Sequence, residues 1–481
     1  MYRIGGCGPA AARWTRTGAR RPGWAPLARG RLAGLGALAA AAALIGGCAT
    51  YHALPLARGP NLASGLAGLR TAVPPLRPGD APRRIDVARP LKIDDIGLLA
   101  VLNDPTLRTE PAILAEAQAG LLQASLLPNP SAGVVFEPLL GGAAGITTSW
   151  TATLSESVNA ILTYHTRVKS AHFALEQVNA DLLWREWRTA QQARVLALDL
   201  YWGRDAIRAS RHEVRLLDVE ARAARAAAAT GSLDLTALAP ILAAKAAADQ
   251  TLASLTLAQL RAWQALDAML GLEPTVRFAI AAPVLPPMPS LRSLVTHLPE
   301  RRPDLVALRL GYRSADENVR TAIIGQFPAF VLGGQWDQDN TNVRNGGPTA
   351  TFDLPIFDRN QGQIAAARAT RQVLHAQYQA RLDSAVGTVR GLLAQIHRLS
   401  RDLRQARRAT AAAARLARSA RRAFAHGDID ERAFTDYLTA SLQRRLEVDT
   451  LESTLGQARI AMTVELGVGL PRVRMVPAAQ K

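Results

Sequence analysis

The chain has 481 residues, is 48% apolar but only 5% aromatic, and carries a formal charge of +18. That excludes a disordered polymer and favours long helices rich in Ala, Leu and Arg. Arg3, Arg13, Arg16, Arg20, Arg21, Arg29 and Arg31 precede Cys48 with no acidic residue among them. The remaining excess is spread along helical segments without aromatic stacking platforms, which argues against a nucleic-acid partner.

Residues 32–47 are uncharged, rich in Ala and Leu, and end Ile45-Gly46-Gly47-Cys48. A basic segment, a short apolar run and small residues make residues 1–47 a signal peptide, too short in its apolar part to span a membrane. Leu44-Ile45-Gly46-Gly47-Cys48 resembles the bacterial lipobox, which implies a covalent lipid on Cys48. Cys7 would leave with the signal, so no cysteine pair remains for a disulfide or metal site. Residues 48–92, rich in Pro, Gly and Arg and without sustained period, read as a lipidated tether or strap along the surface.

Periodic structure begins at the first repeat, 93–271. A helix is expected over residues 96–126, ended by Pro128-Asn129-Pro130. Residues 131–157 form a hairpin of two β-like runs around Gly141, Gly142 and Gly145. A helix of about 71 residues (159–229) follows, then a break at 230–234 containing Gly231, Leu233 and Asp234, then a helix to Gly271 in which Pro240 fits the first turns. After a Pro-rich connector, 272–290, the plan returns in residues 291–470. It gives a helix over 291–326, a hairpin over 329–356 with a polar loop at 338–348, a long helix over 358–425, a break at 426–430 with Gly427, Ile429 and Asp430, and a last helix to 466, with residues 471–481 as a tail. Gly231 and Gly427, like Gly271 and Gly467, are 196 residues apart, and Pro130 and Pro328 are 198 apart, so the chain is an internal duplication. Thr351, Asp353 and Pro355 alternate with Phe352, Leu354 and Ile356, a strand with one greasy face that turns into a helix at Asp358-Arg359-Asn360, whose Asp and Asn are expected caps. Leu382, Val389, Ile396 and Leu403 fall seven apart, with Val386 and Leu393 between, as in a heptad seam.

The strands are of bilayer-crossing length, but four are too few for a barrel without edges. Three copies would give twelve, with each half's short helices stacked end to end beside its long one. Leu126-Leu127-Pro128-Asn129-Pro130, Arg302-Pro303-Asp304-Leu305, Gln326-Phe327-Pro328, residues 354–362 and the breaks at Gly231 and Gly427 together resemble the TolC-like outer-membrane efflux factors over about residues 93–471. The first strand-to-helix junction departs from the family, with Asn159-Ala160-Ile161-Leu162 lacking the glycine that often follows.

The resemblance implies a mainly α chain with a membrane β-barrel: a homotrimer whose twelve-stranded barrel continues into a periplasmic barrel of helices. It would sit in the outer membrane among lipid and act as a passive conduit. A periplasmic adaptor (membrane fusion) protein and an inner-membrane pump of resistance-nodulation-division type would be its partners. An outlet for protein secretion is the alternative within the class, and a non-conducting lipid-anchored coiled-coil scaffold the alternative outside it; bilayer-length hairpins favour a channel. In the family, carboxylates nine residues beyond the second tip glycine can ring the closed aperture, and Asp436 stands there; the companion position is Ala433.

Asp430 is equally suited to capping the following helix. No GxSxG, Walker loop, HExxH or paired-cysteine motif marks an enzyme, and His165 and His172, seven apart on a long helix, are too few for a metal site. Arg401, Arg404, Arg407, Arg408, Arg415, Arg418, Arg421 and Arg422 read as a solvated stripe.

Overall fold

The computed structural model describes residues 51–73, 83–142, 145–284 and 295–468. The signal segment, Cys48 and the tail at 471–481 lie outside the described residues. The chain divides into two compact units, residues 1–60 and 61–481. Residues 51–60 of the first are exposed coil, and every helix and strand described belongs to the second.

In the second unit the strap is part of the core, a correction to the surface tether expected from composition. Ala63 bridges in parallel to Leu272 and Leu91 to Ile280, while β1 (Ala72–Val73) pairs antiparallel with β2 (Arg83–Arg84). Leu69, Val73, Ile85 and Leu91 are thereby buried in one cluster with Leu272 and Ile280 of the connector. Widely spaced apolar residues in a Pro/Gly background hide this packing from any periodicity count.

The helix expected over 96–126 is two: α1 (Ile93–Asn103) and α2 (Glu110–Ser125), joined by a 3-10 turn at Pro105–Thr109. Pro105 supplies no N–H to continue α1. The Asp104 carboxylate closes the turn, accepting from Thr106 N at 2.8 Å and Thr106 Oγ1 at 2.7 Å. Beside it the Asn103 amide donates to Arg70 O at 3.0 Å and Leu99 O at 2.9 Å, tying the strap to α1.

Two long helices run through the molecule, α3 (Val158–Ala229, 72 residues) and α7 (Gln361–His426, 66 residues), roughly 108 and 99 Å at 1.5 Å per residue. α2 and α4 (Leu235–Leu270) pack on α3; α6 (Pro303–Ile324) and α8 (Glu431–Glu465) pack on α7. α6 and α8 also lean on α3, which joins the halves. The heptad seam is buried as read: Val389, Ile396 and Leu403 pack with Leu455, Ala458 and Met462, flanked by Leu382, Val386 and Leu393. Of the helix expected over 291–326, the residues from 295 on are described: Val295 and Thr296 are helical, His297 turns, and the four-residue α5 (Leu298–Arg301) is separated from α6 because Pro303 holds Arg302 extended (φ −86°, ψ 118°).

The duplication is written in the backbone. Gly231, Gly271, Gly427 and Gly467 all have positive φ, at 73°, 65°, 79° and 59°. Each closes a helix with the same pair of bonds, illustrated by Gly427 N to Phe424 O at 3.0 Å and Asp428 N to Ala423 O at 2.8 Å. This Schellman closure satisfies carbonyls the helix end would leave free.

Candidate functional site: the open sheet and the helical tip

Both hairpins enter a single antiparallel sheet of order β3-β4-β5-β6: β3 (Ser131–Glu137), β4 (Ser149–Ser157), β5 (Phe330–Gln338) and β6 (Arg344–Phe352). β6 corrects the sequence reading in two ways. It begins inside the stretch assigned to a polar loop, and it ends before Asp353 and Pro355. Gly346 explains the first: a Cβ there would lie 3.0 Å from Trp336 Cδ1, so glycine makes room for the ring. The turn needs only residues 339–343, because Asp339 Oδ1 accepts from Thr341 N at 2.8 Å and Val343 N at 2.9 Å.

The register sorts the side chains into two unlike faces. Phe136 pairs with Trp150, Trp150 with Gln338 and Gln338 with Arg344, so even-numbered residues share one side and odd-numbered ones the other. The even face carries Ala132, Val134, Phe136, Trp150, Ala152, Leu154, Phe330, Leu332, Trp336, Pro348, Ala350 and Phe352. Its only charged or amide side chains, Glu156, Gln338 and Arg344, are at or next to strand ends. The odd face carries Ser131, Glu137, Ser149, Thr151, Thr153, Ser155, Gln335, Asp337, Asn345, Thr349 and Thr351, with Val135 and Val331 as its apolar side chains.

Aromatics band the apolar face at both ends. Phe136, Trp150 and Trp336 lie toward the turns; toward the helices Phe330 and Phe352 stack at 5.5 Å between ring centroids. An apolar outside with aromatic girdles and a polar inside is the dress of a barrel strand in lipid. The outer edges of β3 and β6 have no strand partner among the described residues. In hydrocarbon each unsatisfied backbone group costs several kcal/mol, so such a sheet cannot stand alone there.

At the helix side of the sheet the junction is tied by amides. Asn360, itself left-handed at φ 60°, donates from Nδ2 to Ala322 O at 2.8 Å, linking the start of α7 to the end of α6. It stands at the N-cap position of α7, as expected, but its side chain makes no capping bond; Asp358 accepts from Asn360 N at 2.8 Å, outside the helix. At the other junction Asn159 Oδ1 accepts from Phe330 N at 3.3 Å.

The far ends of α3 and α7 are the tip. Gly231 and Gly427 turn the chain, and Leu233 packs against Ala221, Ala224 and Ile241. Ile429 is half-buried in the second turn. Asp234 caps α4 through Thr236, and Asp430 caps α8 by accepting from Ala433 N at 2.7 Å. Phe424 and Phe434 stack across the second turn at 4.9 Å, nearly parallel. The Glu220 carboxyl on α3 meets Glu431 on α8, so the two turns are neighbours; burial and then the Glu431 carboxyl push Glu220 up. Asp436 is exposed one turn into α8. All eight arginines of the α7 stripe are exposed, and among the described residues only Arg407 meets an acid, Glu452.

The comparisons agree with this geometry. Residues 294–468 match the family model described as outer membrane efflux protein. The structure is similar to the CmeC outer membrane channel of Campylobacter jejuni (TM-score 0.66, 14% identity, 80% of this chain and 87% of that one). It is also similar to the outer membrane protein VceC of Vibrio cholerae (0.63, 18%, 79% and 97%) and to the open-state MtrE outer membrane channel of Neisseria gonorrhoeae (0.61, 16%, 79% and 90%). The fold is that of the TolC-like outer-membrane efflux channels. No curated protein matches the chain.

The TolC-like fold gives the sheet and tip their context: strands at one end, helical turns at the other. Sequence reasoning found both and missed three buried carboxyls between helices. Glu110, Glu213 and Asp449 are each buried, at 8%, 4% and 7% exposure. Burial pushes Glu110 and Glu213 up to about 7, with Glu186 adding to the effect at Glu110, and pushes Asp449 up to about 6. Helical charges at ordinary spacing gave no signal for them.

Proposed function

We propose that this protein is the outer-membrane channel of a tripartite efflux system, a passive conduit for substrates that an inner-membrane pump delivers through a periplasmic adaptor. The observation that carries the reading is the two-faced, four-stranded sheet with two free edges. Joining β6 of one copy to β3 of the next removes the edges, and three copies give a twelve-stranded barrel wide enough for a pore where two would be filled by side chains. The polar odd face then lines the lumen and the banded even face meets lipid. The helices carry the conduit into the periplasm, where a resistance-nodulation-division pump and its adaptor meet the tip. The lipid proposed for Cys48 anchors each copy; fatty-acid labelling should be lost in Cys48→Ala.

Detergent-corrected light scattering on the purified protein, followed by planar-bilayer recording, tests the channel. A trimer with stepwise conductance is expected. A monomer that conducts, or a trimer that does not, overturns the proposal.

A further inference from the structure

Some 24 Å along α3 from its tip end, at 1.5 Å per residue, the helices α3, α7 and α8 part around a cavity of about 470 Å³. That volume lies within the range of small-molecule sites. Its walls mix aliphatic with polar residues: Ala209 and Leu216 from α3, Ala414 from α7, and Leu438 and Leu442 from α8 supply the apolar part, and Thr410 and Ser441 add hydroxyls. Into it projects Glu213, 4% exposed, with neither a hydrogen bond nor an ion pair to any described residue. A buried carboxyl without a partner is costly, and nothing in the packing requires one here.

The second acid of the cavity, Asp205, is already matched. Asp205 is held by Arg208 one turn on and by Arg204 at 3.3 Å. Arg445, exposed at the rim, makes no ion pair with a described residue, although its charge lowers the Asp449 carboxyl, one turn further along α8, against the effect of burial. His212 is exposed beside them, and α7 contributes only Thr410 and Ala414. Inside the cavity one buried acid, Glu213, remains beside Ala209, Leu216, Ala414, Leu438 and Leu442, with Arg445 exposed to solvent at the rim.

We infer that this cavity binds an amphiphilic organic monocation, a protonated amine or quaternary nitrogen on an apolar body, with Glu213 as its counter-ion. A divalent metal does not fit, since calcium takes six to eight oxygens and the cavity offers one free carboxyl. A neutral apolar molecule would leave Glu213 unmatched, and an anion would face it. The site lies within one chain.

The test uses ethidium as the cation and phenanthridine as a neutral comparator, titrated into the intact protein in detergent and followed by fluorescence anisotropy and calorimetry. Saturable ethidium binding at one per chain is expected, with phenanthridine at least tenfold weaker. Glu213→Gln, which keeps the shape and removes the charge, and Leu438→Trp, which fills the cavity, should each weaken ethidium at least tenfold. Because the carboxyl must lose its proton to pair, affinity should fall about tenfold from pH 8 to pH 6, as only the ionised fraction binds. Unsaturable binding, equal affinity for the two probes, or either variant within twofold of wild type overturns the site.

Discussion

Arg302 and Asp304 form a buried two-pronged pair: Nε donates to Oδ1 at 3.0 Å and Nη2 to Oδ2 at 2.7 Å, with Arg302 only 1% exposed. Pro303 between them holds the backbone so that both side chains turn the same way. Glu465 at the end of α8 binds the second side of the guanidinium, Arg381 of α7 donates to Asp304 at 2.6 Å, and the Trp184 ring of α3 lies 5.0 Å from the guanidinium carbon. Burial opposes ionisation of Asp304, yet Arg302 and then Arg381 bring its carboxyl below the ordinary value. Four helices thus meet on one ion pair.

Arg302→Ala should therefore cost about 3–5 kcal/mol, since it leaves buried Asp304 with Arg381 alone and takes the guanidinium from Glu465. Arg302→Met with Asp304→Leu should recover part of the loss, because the charges then left without these partners, Arg381 and Glu465, are the more exposed ones. Chemical denaturation followed by helical circular dichroism reads both. A loss below about 1 kcal/mol for the single variant would show that the pair does not hold the helices together.

Stability should fall as pH rises from about 4.5 to about 7. Glu110, Glu213 and Asp449 have folded values above their unfolded ones, so across that window the folded state holds more protons than the unfolded state. Their stabilisation is complete below the unfolded values and is lost as pH passes the folded ones. Water at the cavity mouths screens the effect, leaving on the order of 1 kcal/mol per group. Asp304, shifted the other way, matters only below about pH 4. Melting at pH 5 and pH 8 checks this: Glu213→Gln should raise the pH 8 midpoint and narrow the gap. A wild-type midpoint that climbs between these pH values would be the wrong sign.

Much of this architecture was legible because it depends on local, repeated signals. Glycine is the residue that adopts the left-handed turn without strain, so Gly231 and Gly427 announced the tip, and the heptad from Leu382 to Leu403 announced its own burial. What stayed hidden depends on pairing. Arg344 and Gly346 look like loop until β5 places Trp336 over them, and Arg302-Pro303-Asp304 reads as an interrupted helix until Glu465, 163 residues away, arrives. The even face was half-visible at Phe352, but its continuation through Trp150 and Phe136 requires the register. Glu213 was invisible for the same reason, since a glutamate on a long helix is ordinarily solvated and only α7 and α8 enclose this one.

Replacing the tip glycines should cost stability for conformational reasons alone. Nothing lies within 4 Å of a Cβ built on Gly231 or Gly427, so alanine there meets no clash and pays only for its positive φ. Gly427→Ala should cost about 1–2 kcal/mol, and Gly427→Asn less, because asparagine tolerates the left-handed region. Hydrogen exchange at Asp428 N and the first amides of α8 should quicken in the alanine variant. Equal exchange in alanine and wild type would mean the turn is held by its neighbours instead.

Asp436 is the remaining residue to place. It is exposed one turn beyond the Asp430 cap, on the helix that Phe434 fastens to α7 by stacking on Phe424. Because Phe434 is buried against α7, Asp436 points away from that seam and is available to a passage or to water. In a trimer whose tips converge, three such carboxylates would ring the axis, attract cations and repel one another. Neutralising them should weaken divalent-cation block and alter single-channel conductance, while Asp430→Ala should act mainly on stability by freeing the N–H of Ala433. Planar-bilayer recording of wild type, Asp436→Ala and Asp430→Ala over a series of magnesium concentrations separates the two roles. Unchanged conductance and block in Asp436→Ala would return that residue to the solvated surface of α8 and leave the conduit itself standing.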